Sequence, residues 1–284
     1  MTWFEPYLAR WRLRVDGEPF ASKHSHLLPV RRKGVAAMLK VSHEKEERDG
    51  SALMAWWNGD GAAPVLEHDA EALLMLRADG RETLVEMSRQ GRDDAATDIL
   101  CAVVARLHRP RRETLPPLPP LPPLIPLTVR FSSLLSSAEG LGRPFVQCAD
   151  VARALLATPQ DVMVLHGDIH HGNVLDFGAA GWLAIDPKGL YGERGFDYAN
   201  LFCNPDAQSA LAPGVFDRRV ERVARIAGLA PERLLRWVMA WAGLSAVWML
   251  EDGDEEDGEE DGEVGVAGTL SIARRAAASL GIEI

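Results

Sequence analysis

Residues 162–189 read VMVLHGDIHHGNVLDFGAAGWLAIDPKG. Val162 to Leu165 is a short apolar run, expected as a strand. It enters the loop His166-Gly167-Asp168-Ile169-His170-His171-Gly172-Asn173. Val174-Leu175, a turn over Gly178-Ala179-Ala180-Gly181 and an apolar run from Trp182 to Ile185 then predict a β-hairpin, with Asp186 at its exit. Asp168, Asn173 and Asp186 are thereby expected on one side of the hairpin, where strands meet loops. Phosphoryl transfer needs such a set. One carboxylate orients the attacking hydroxyl and accepts its proton, while hard oxygen ligands hold Mg²⁺ against nucleotide phosphates. Asp168 suits the first role. Asn173 and Asp186 suit the second, because magnesium keeps several of its waters and needs few protein ligands. Simple loop-capping residues would not explain the joint spacing behind His166-Gly167.

The neighbours are read as structural. His166 is expected to bond the loop backbone. His170 and His171 are adjacent, so they are poorly placed to share one ion, and no thiol or carboxylate set completes a zinc site. Asp197, in Gly195-Phe196-Asp197-Tyr198, is expected to cap the following helix and tie down the loop. Asp176-Phe177-Gly178 spells D-F-G by letters alone. It falls three residues after Asn173, in the hairpin turn, too early for a metal aspartate at the exit of the next strand.

H-G-D followed by an asparagine five residues on, then an apolar strand ending in I-D-P, resembles the catalytic segment of the aminoglycoside phosphotransferases. WLAIDPKGLYGERGFDYANLFCNP, residues 182–205, is similar to the aminoglycoside/hydroxyurea antibiotic-resistance kinases, which include streptomycin kinases. The likeness is dense over residues 162–205 and looser from about residue 7 to 253. It implies Asp168 as catalytic base and Asn173 and Asp186 as Mg²⁺ ligands, in agreement with the residue chemistry. It also implies an α+β, bilobal protein-kinase-like fold. A small N-terminal antiparallel β lobe with one helix would cover residues 1–76, a hinge 77–80, and a larger, mainly helical C-terminal lobe carrying the catalytic β-hairpin 81–284.

The pattern upstream suits a nucleotide-covering lobe. Trp11 to Val15 alternates and meets the turn signal Asp16-Gly17; Leu27 to Arg31, Val35 to Val41 and Ala70 to Leu76 are β-prone. A polar helix is expected from Glu44 to Trp57, closed by Asn58-Gly59. Kinase-like folds hold the α- and β-phosphates of ATP with a strand lysine braced by a helix carboxylate. Lys40 is the expected lysine. Glu46 is the expected partner, ahead of Glu44 and Glu47, because it shares a helical face with Leu53 and Trp57. Residues 17–26 should cover the phosphates, with Ser22 and Ser25 as candidate contacts. They contain no G-x-G-x-x-G, and the chain has no Walker-type P-loop. Adenine is expected to bond backbone groups around Leu76 to Ala78.

Downstream, Ile99, Leu100, Val103, Val104 and Leu107 mark one face of a helix over Asp94 to Leu107. Residues 115–126, LPPLPPLPPLIP, hold seven prolines and read as an extended spacer. Further helices are expected near residues 128–138, 147–157, 214–227, 232–250 and 269–280. The apolar stretch Trp237 to Leu250 is too short for the ~20 residues a membrane span needs.

Charge narrows the partners. The 284 residues carry a net charge of −10, but residues 251–263 alone hold ten acidic and no basic residues, leaving 31 of each sign elsewhere. A neutral body is a poor match for nucleic acid. Three widely spaced cysteines fit reduced thiols in a cytoplasmic protein. A small-molecule acceptor is expected, since no A-P-E segment follows the site. Aminoglycosides are polycations, so Glu251 and Asp252, directly after the last long helix, are candidate acceptor contacts. The competing readings are a kinase for a small metabolite such as a sugar or amino alcohol, and a catalytically inactive nucleotide-binding module.

Overall fold

The computed structural model describes residues 2–111, 119–253 and 265–284. Its N-terminal part is a mixed-length antiparallel sheet. After a short helix α1 (Glu5–Arg10) come β1 (Leu13–Val15), β2 (Phe20–Ala21), β3 (His26–Arg32), β4 (Val35–Val41), β5 (Val65–His68) and β6 (Ala72–Leu76). The order across the sheet is β1-β3-β4-β6-β5, with β2 pairing the far end of β3. Period-two alternation divides its two faces. Leu28, Val30, Ala37, Leu39 and Leu74 point to one side, where Phe4 and Trp11 seal them. Leu27, Lys40 and Leu73 lie abreast on the other, in the registers Leu27↔Lys40 and Lys40↔Leu73. That inner face looks onto the rest of the molecule.

The helix α2 (Lys45–Trp57) follows β4, and Asn58 closes it in a left-handed conformation, as the Asn-Gly pair predicts. It approaches the Asp186-Pro187 segment closely at Gly50, where a Cβ would lie 2.0 Å from the Pro187 carbonyl oxygen. Residues 77–80 lead out of the sheet. Arg77 donates its amide to Ala36 O at 3.3 Å and Gly80 donates to Asp176 O at 2.9 Å. At Gly80 a Cβ would fall on the Asp176 carboxyl group, so the D-F-G letters form a turn against which the connecting segment is laid.

The C-terminal part is mainly helical: α3 (Leu84–Met87), α4 (Asp93–Leu107), α5 (Leu127–Arg130), α6 (Ser132–Leu141), α7 (Arg143–Ala157), α8 (Gly195–Ala199), α9 (Ala207–Ala210), α10 (Val215–Ala227), α11 (Pro231–Asp252) and α12 (Val266–Leu280). Pro231 opens α11 at its first turn, and Leu234 to Val247 are buried along most of their length. No helix among the described residues is long and apolar enough to cross a membrane. The hairpin of β9 (Val174–Asp176) and β10 (Trp182–Ala184) sits between the two parts.

Some elements differ from expectation. Val162–Leu165 is strand β8, but its partner is β11 (Leu190–Glu193), which also pairs in parallel with β7 (Ile125–Pro126). The proline-rich segment therefore ends as a sheet edge, the position at which a residue lacking an N–H is tolerated. Its first part, through residue 118, lies outside the described residues. The single helix expected near residues 128–138 is broken at Phe131 into α5 and α6. Cys101, Cys148 and Cys203 are free thiols buried in the core, and burial pushes each up to about 12.

Candidate active site

The inner face of the sheet, α2 and the hairpin enclose a cavity of about 200 Å³, lined by Lys40, Leu73, Met75, Asn173, Ile185 and Asp186 among others. The lining does not include Leu76 or Ala78. Leu76 pairs with Ala37 of the outer-face register, and its amide is committed to Pro64 O at 2.9 Å. The apolar wall comes from Leu73 and Met75, which alternation turns inward. Ser22 lines the mouth of the cavity. Ser25 is buried and donates its hydroxyl to Glu47 Oε2 at 3.1 Å, which leaves it poorly placed for phosphates.

Four charged groups cross the floor. Lys40 Nζ donates to Glu47 Oε2 at 2.5 Å and also to Asp186 Oδ1. Lys188 Nζ donates to Glu47 Oε1 at 2.6 Å and lies 3.4 Å from Asp186 Oδ2. The expected partner Glu46 is corrected to Glu47. Glu46 instead pairs with Arg130 Nη1 at 2.7 Å. The physical reason is that α2 is buried on two flanks. The face shared by Glu46, Leu53 and Trp57 turns toward the helical part, where Trp57 Nε1 donates to Leu107 O. One residue on, about 100° around the helix, Glu47 meets Lys40. Burial alone would raise the Glu47 carboxyl, but Lys40 and Lys188 hold it below its ordinary value. Asp186 behaves alike. Burial raises it, and the two lysines overcome that and keep it far below the carboxylate range. Burial would lower Lys188, yet Asp186 and Glu47 hold it well above the usual lysine value.

Asp186 adopts φ 62°, the left-handed region that aspartate tolerates better than most residues. Asn173 is anchored by its neighbours: its amide nitrogen donates to Asp168 O at 3.0 Å and to Asp168 Oδ2 at 3.1 Å. With the nitrogen so committed, Oδ1 is the end of Asn173 left to serve a cation. An anionic Asp186 and an amide oxygen on the same cavity wall are a fitting donor pair for a magnesium ion that retains most of its waters. Among the described residues no set of three His, Cys, Asp or Glu converges as a metal site.

Asp168 is half-buried, and each carboxylate oxygen receives an amide. Asn173 serves Oδ2, and Asn200 Nδ2 donates to Oδ1 at 2.8 Å. His170 Nδ1 accepts the Gly172 amide at 3.1 Å, so its Nε2 carries the proton and faces Asp168 Oδ2 at 3.8 Å. The loop itself is pinned from beneath. Asp197 Oδ2 accepts from His166 N at 2.9 Å and His108 Nε2 at 2.8 Å, and its Oδ1 accepts from Gly167 N at 2.8 Å. Burial opposes the charge on Asp197, and these donors more than compensate, holding its pKa below the ordinary value. His166 donates Nε2–H to Ile185 O at 2.9 Å, while its Nδ1 accepts the Asp168 amide at 3.3 Å. Burial lowers its pKa, consistent with a neutral ring. His171 is buried and makes no hydrogen bond through either ring nitrogen among the described residues.

The structure thus brings Lys40, Asn173 and Asp186 to one cavity, with Asp168 bonded to Asn173. It adds Lys188, Asn200 and His108, which motif reading missed. Lys188 stands two residues after Asp186 in a segment already singled out, and a basic residue so close to the expected metal aspartate was the available signal. Asp252, at the end of α11, accepts from Lys23 Nζ at 2.5 Å, linking that helix end to the loop over the cavity. Glu251 is exposed beside it, and the acidic residues 254–263 lie outside the described residues.

The family model described as aminoglycoside/hydroxyurea antibiotic resistance kinase matches residues 10–253. A streptomycin 3''-kinase of Klebsiella pneumoniae is 47% identical over 251 residues, covering 87% of this chain and 92% of the relative. A streptomycin 6-kinase of Streptomyces glaucescens is 32% identical over 267 residues, covering 88% and 82%. In fold, the chain is similar to a thermostable mutant of an aminoglycoside phosphotransferase crystallised with ADP and hygromycin B. The TM-score is 0.63 at 14% identity, over 98% of this chain and 99% of the other.

Proposed function

The chain belongs to the aminoglycoside/hydroxyurea antibiotic resistance kinase family, and from that premise we propose that it transfers the γ-phosphate of ATP, with Mg²⁺, to a hydroxyl of streptomycin or a close relative. The observation that carries this reading is the convergence of Lys40, Asn173 and Asp186 on one cavity, with Asp168 bonded to Asn173 at its edge. The similarity to a streptomycin 3''-kinase over 92% of that enzyme's length favours the 3''-hydroxyl as the acceptor.

The residues divide the work. Leu73, Met75 and Ile185 offer an apolar slot for adenine, and the proposed hinge, residues 77–80, leaves the sheet directly after β6. Lys40, braced by Glu47, supplies positive charge to the α- and β-phosphates. Asn173 and Asp186 would hold Mg²⁺, which when bound supplies charge neutralisation for the phosphate oxygens. Lys188 balances Glu47 and Asp186, so the carboxylates stay ionised without destabilising the floor. Asp168 accepts the proton of the attacking hydroxyl as its oxygen bonds to phosphorus, and ADP leaves with the electron pair of the broken bond. Glu251 and Asp252 offer negative charge to a cationic acceptor, with Lys23 as the internal cation that a guanidino or amino group would displace from Asp252.

The test is ADP release coupled to streptomycin phosphorylation by the purified protein, with the product's position read by NMR. Asp168→Ala should lower kcat by roughly 10²–10⁴-fold, the usual worth of a positioned general base. A variant that turns over like the parent removes the base assignment.

A further inference from the structure

Asp168 is held in place by a chain of amides that begins some distance from the reacting atoms. We propose that Asn200 is a positioning residue for the transfer step and that Asn204 sets the polarity of its amide, a reading that rests on Asp168 being the base. Asn200 follows α8 in a 3₁₀ turn and is 3% exposed. Its Nδ2 donates to Asp168 Oδ1 at 2.8 Å. The other end of the same amide is occupied, because Asn204 Nδ2 donates to Asn200 Oδ1 at 2.8 Å and to Asn200 O at 3.0 Å. With a donor on its oxygen, Asn200 has to present its nitrogen to the carboxylate.

Asn204 is fixed in turn. Arg219, 1% exposed, donates from Nη1 to both Leu201 O and Asn204 O at 2.7 Å. The guanidinium is anchored by Asp93, with Nη2 on Oδ1 at 2.6 Å and Nε on Oδ2 at 3.0 Å. A planar, doubly bonded pair of this kind fixes direction as well as distance. The path runs from the start of α4, through α10 and the 3₁₀ turn, to the base.

The chemistry explains why amides are used. Each oxygen of Asp168 receives one N–H and keeps a lone pair for the acceptor hydroxyl. Two neutral donors, one on each oxygen, fix the direction of the carboxylate. An oriented oxygen matters because a misplacement of about 1 Å costs on the order of 10²-fold in rate.

The experiment measures kcat and both KM values with ATP and streptomycin for Asn200→Ala, Asn200→Asp, Asn204→Ala and Asp168→Ala, alongside thermal unfolding of each. Asn200→Ala should lower kcat by roughly 10–100-fold, with both KM values close to the parent's. Asn200→Asp keeps the size of the side chain but sets two carboxylates together, which then compete for a proton. It should lose at least as much kcat while staying folded at the assay temperature, with unfolding somewhat below the parent's because the new carboxylate is buried beside Asp168. Asn204→Ala should show a smaller fall in kcat in the same direction. A parental kcat in Asn200→Asp, or a raised KM with kcat held, overturns the role of Asn200. Asp168→Ala separates the two levels. If it is inactive while Asn200→Ala is not impaired, only the positioning role falls; if it is fully active, the base assignment falls and the inference with it.

Discussion

Replacing Glu47 by alanine tests the charged floor of the cavity most sharply. Glu47 is 5% exposed and accepts from Lys40 at 2.5 Å, Lys188 at 2.6 Å and Ser25 at 3.1 Å. Its removal takes the Lys40–Lys188–Glu47–Asp186 quartet from neutral to one net positive charge, with two ammonium groups left to a single carboxylate. Breaking a buried ion pair by deleting one partner costs about 3–5 kcal/mol. For a chain of this size each kcal/mol lowers the unfolding temperature by about 2 °C, so the drop should be roughly 6–10 °C. Lys40, no longer braced, would hold Asp186 more tightly and withdraw it from metal binding. A fall in kcat/KM for ATP on the order of 10²-fold is expected from the lost positioning. The built-in comparison is Glu46→Ala. Its pair with Arg130 is partly exposed, with 38% of the Glu46 side chain accessible. Such pairs are worth about 0–1 kcal/mol, so unfolding should move by no more than about 2 °C and the KM for ATP should not change. Differential scanning fluorimetry and steady-state kinetics at varied ATP read both quantities. Equal losses in the two variants, or an unchanged KM for ATP in Glu47→Ala, would refute the reasoning.

Other outcomes follow from the same geometry. Burial depresses the pKa of His166 in the folded protein, whereas the unfolded chain takes up that proton near pH ~6.5. Stability should therefore fall as pH drops below about 6.5, where the unfolded state binds more protons. In His166→Gln that slope should be shallower by up to ~1.4 kcal/mol per pH unit; identical slopes in denaturant titrations from pH 7 to 5 would contradict the burial argument. Gly50→Ala places a methyl 2.0 Å from Pro187 O, and overpacking of this kind costs roughly 1–3 kcal/mol. Lower thermal stability and a raised KM for ATP should appear together, and a silent substitution would deny the close approach. Glu251→Ala and Asp252→Ala should raise the KM for streptomycin while leaving the KM for ATP alone, which initial-rate kinetics at two salt concentrations would check.

Much of the candidate site was legible because its chemistry is local. Asp168, Asn173 and Asp186 lie within one hairpin whose glycine-bounded turn and apolar strands are written in consecutive residues. The ends of α2 and α11 were legible from Asn58 and Pro231 for the same reason. Elements built from distant partners were not. β7 and β11 are short, do not alternate cleanly, and exist because residues 125–126 and 162–165 meet around residues 190–193. Choosing between Glu46 and Glu47 required knowing that α2 is buried on two sides, which a single-face reading cannot supply. Asn200 and His108 reach the loop across 32 and 89 residues of sequence, so no spacing rule could have tied them to Asp168 or Asp197.

The three sealed thiols have a practical consequence. Burial pushes the thiols of Cys101, Cys148 and Cys203 up to about 12, which denies maleimides and disulfide reagents the thiolate they attack. A cysteine introduced at Phe20, exposed on β2 and part of the cavity lining, and another at Val129, exposed on α5, would be the reactive pair in an otherwise wild-type background. Dyes attached there would follow the β2-to-α5 distance during turnover by energy transfer, with none of the native cysteines removed.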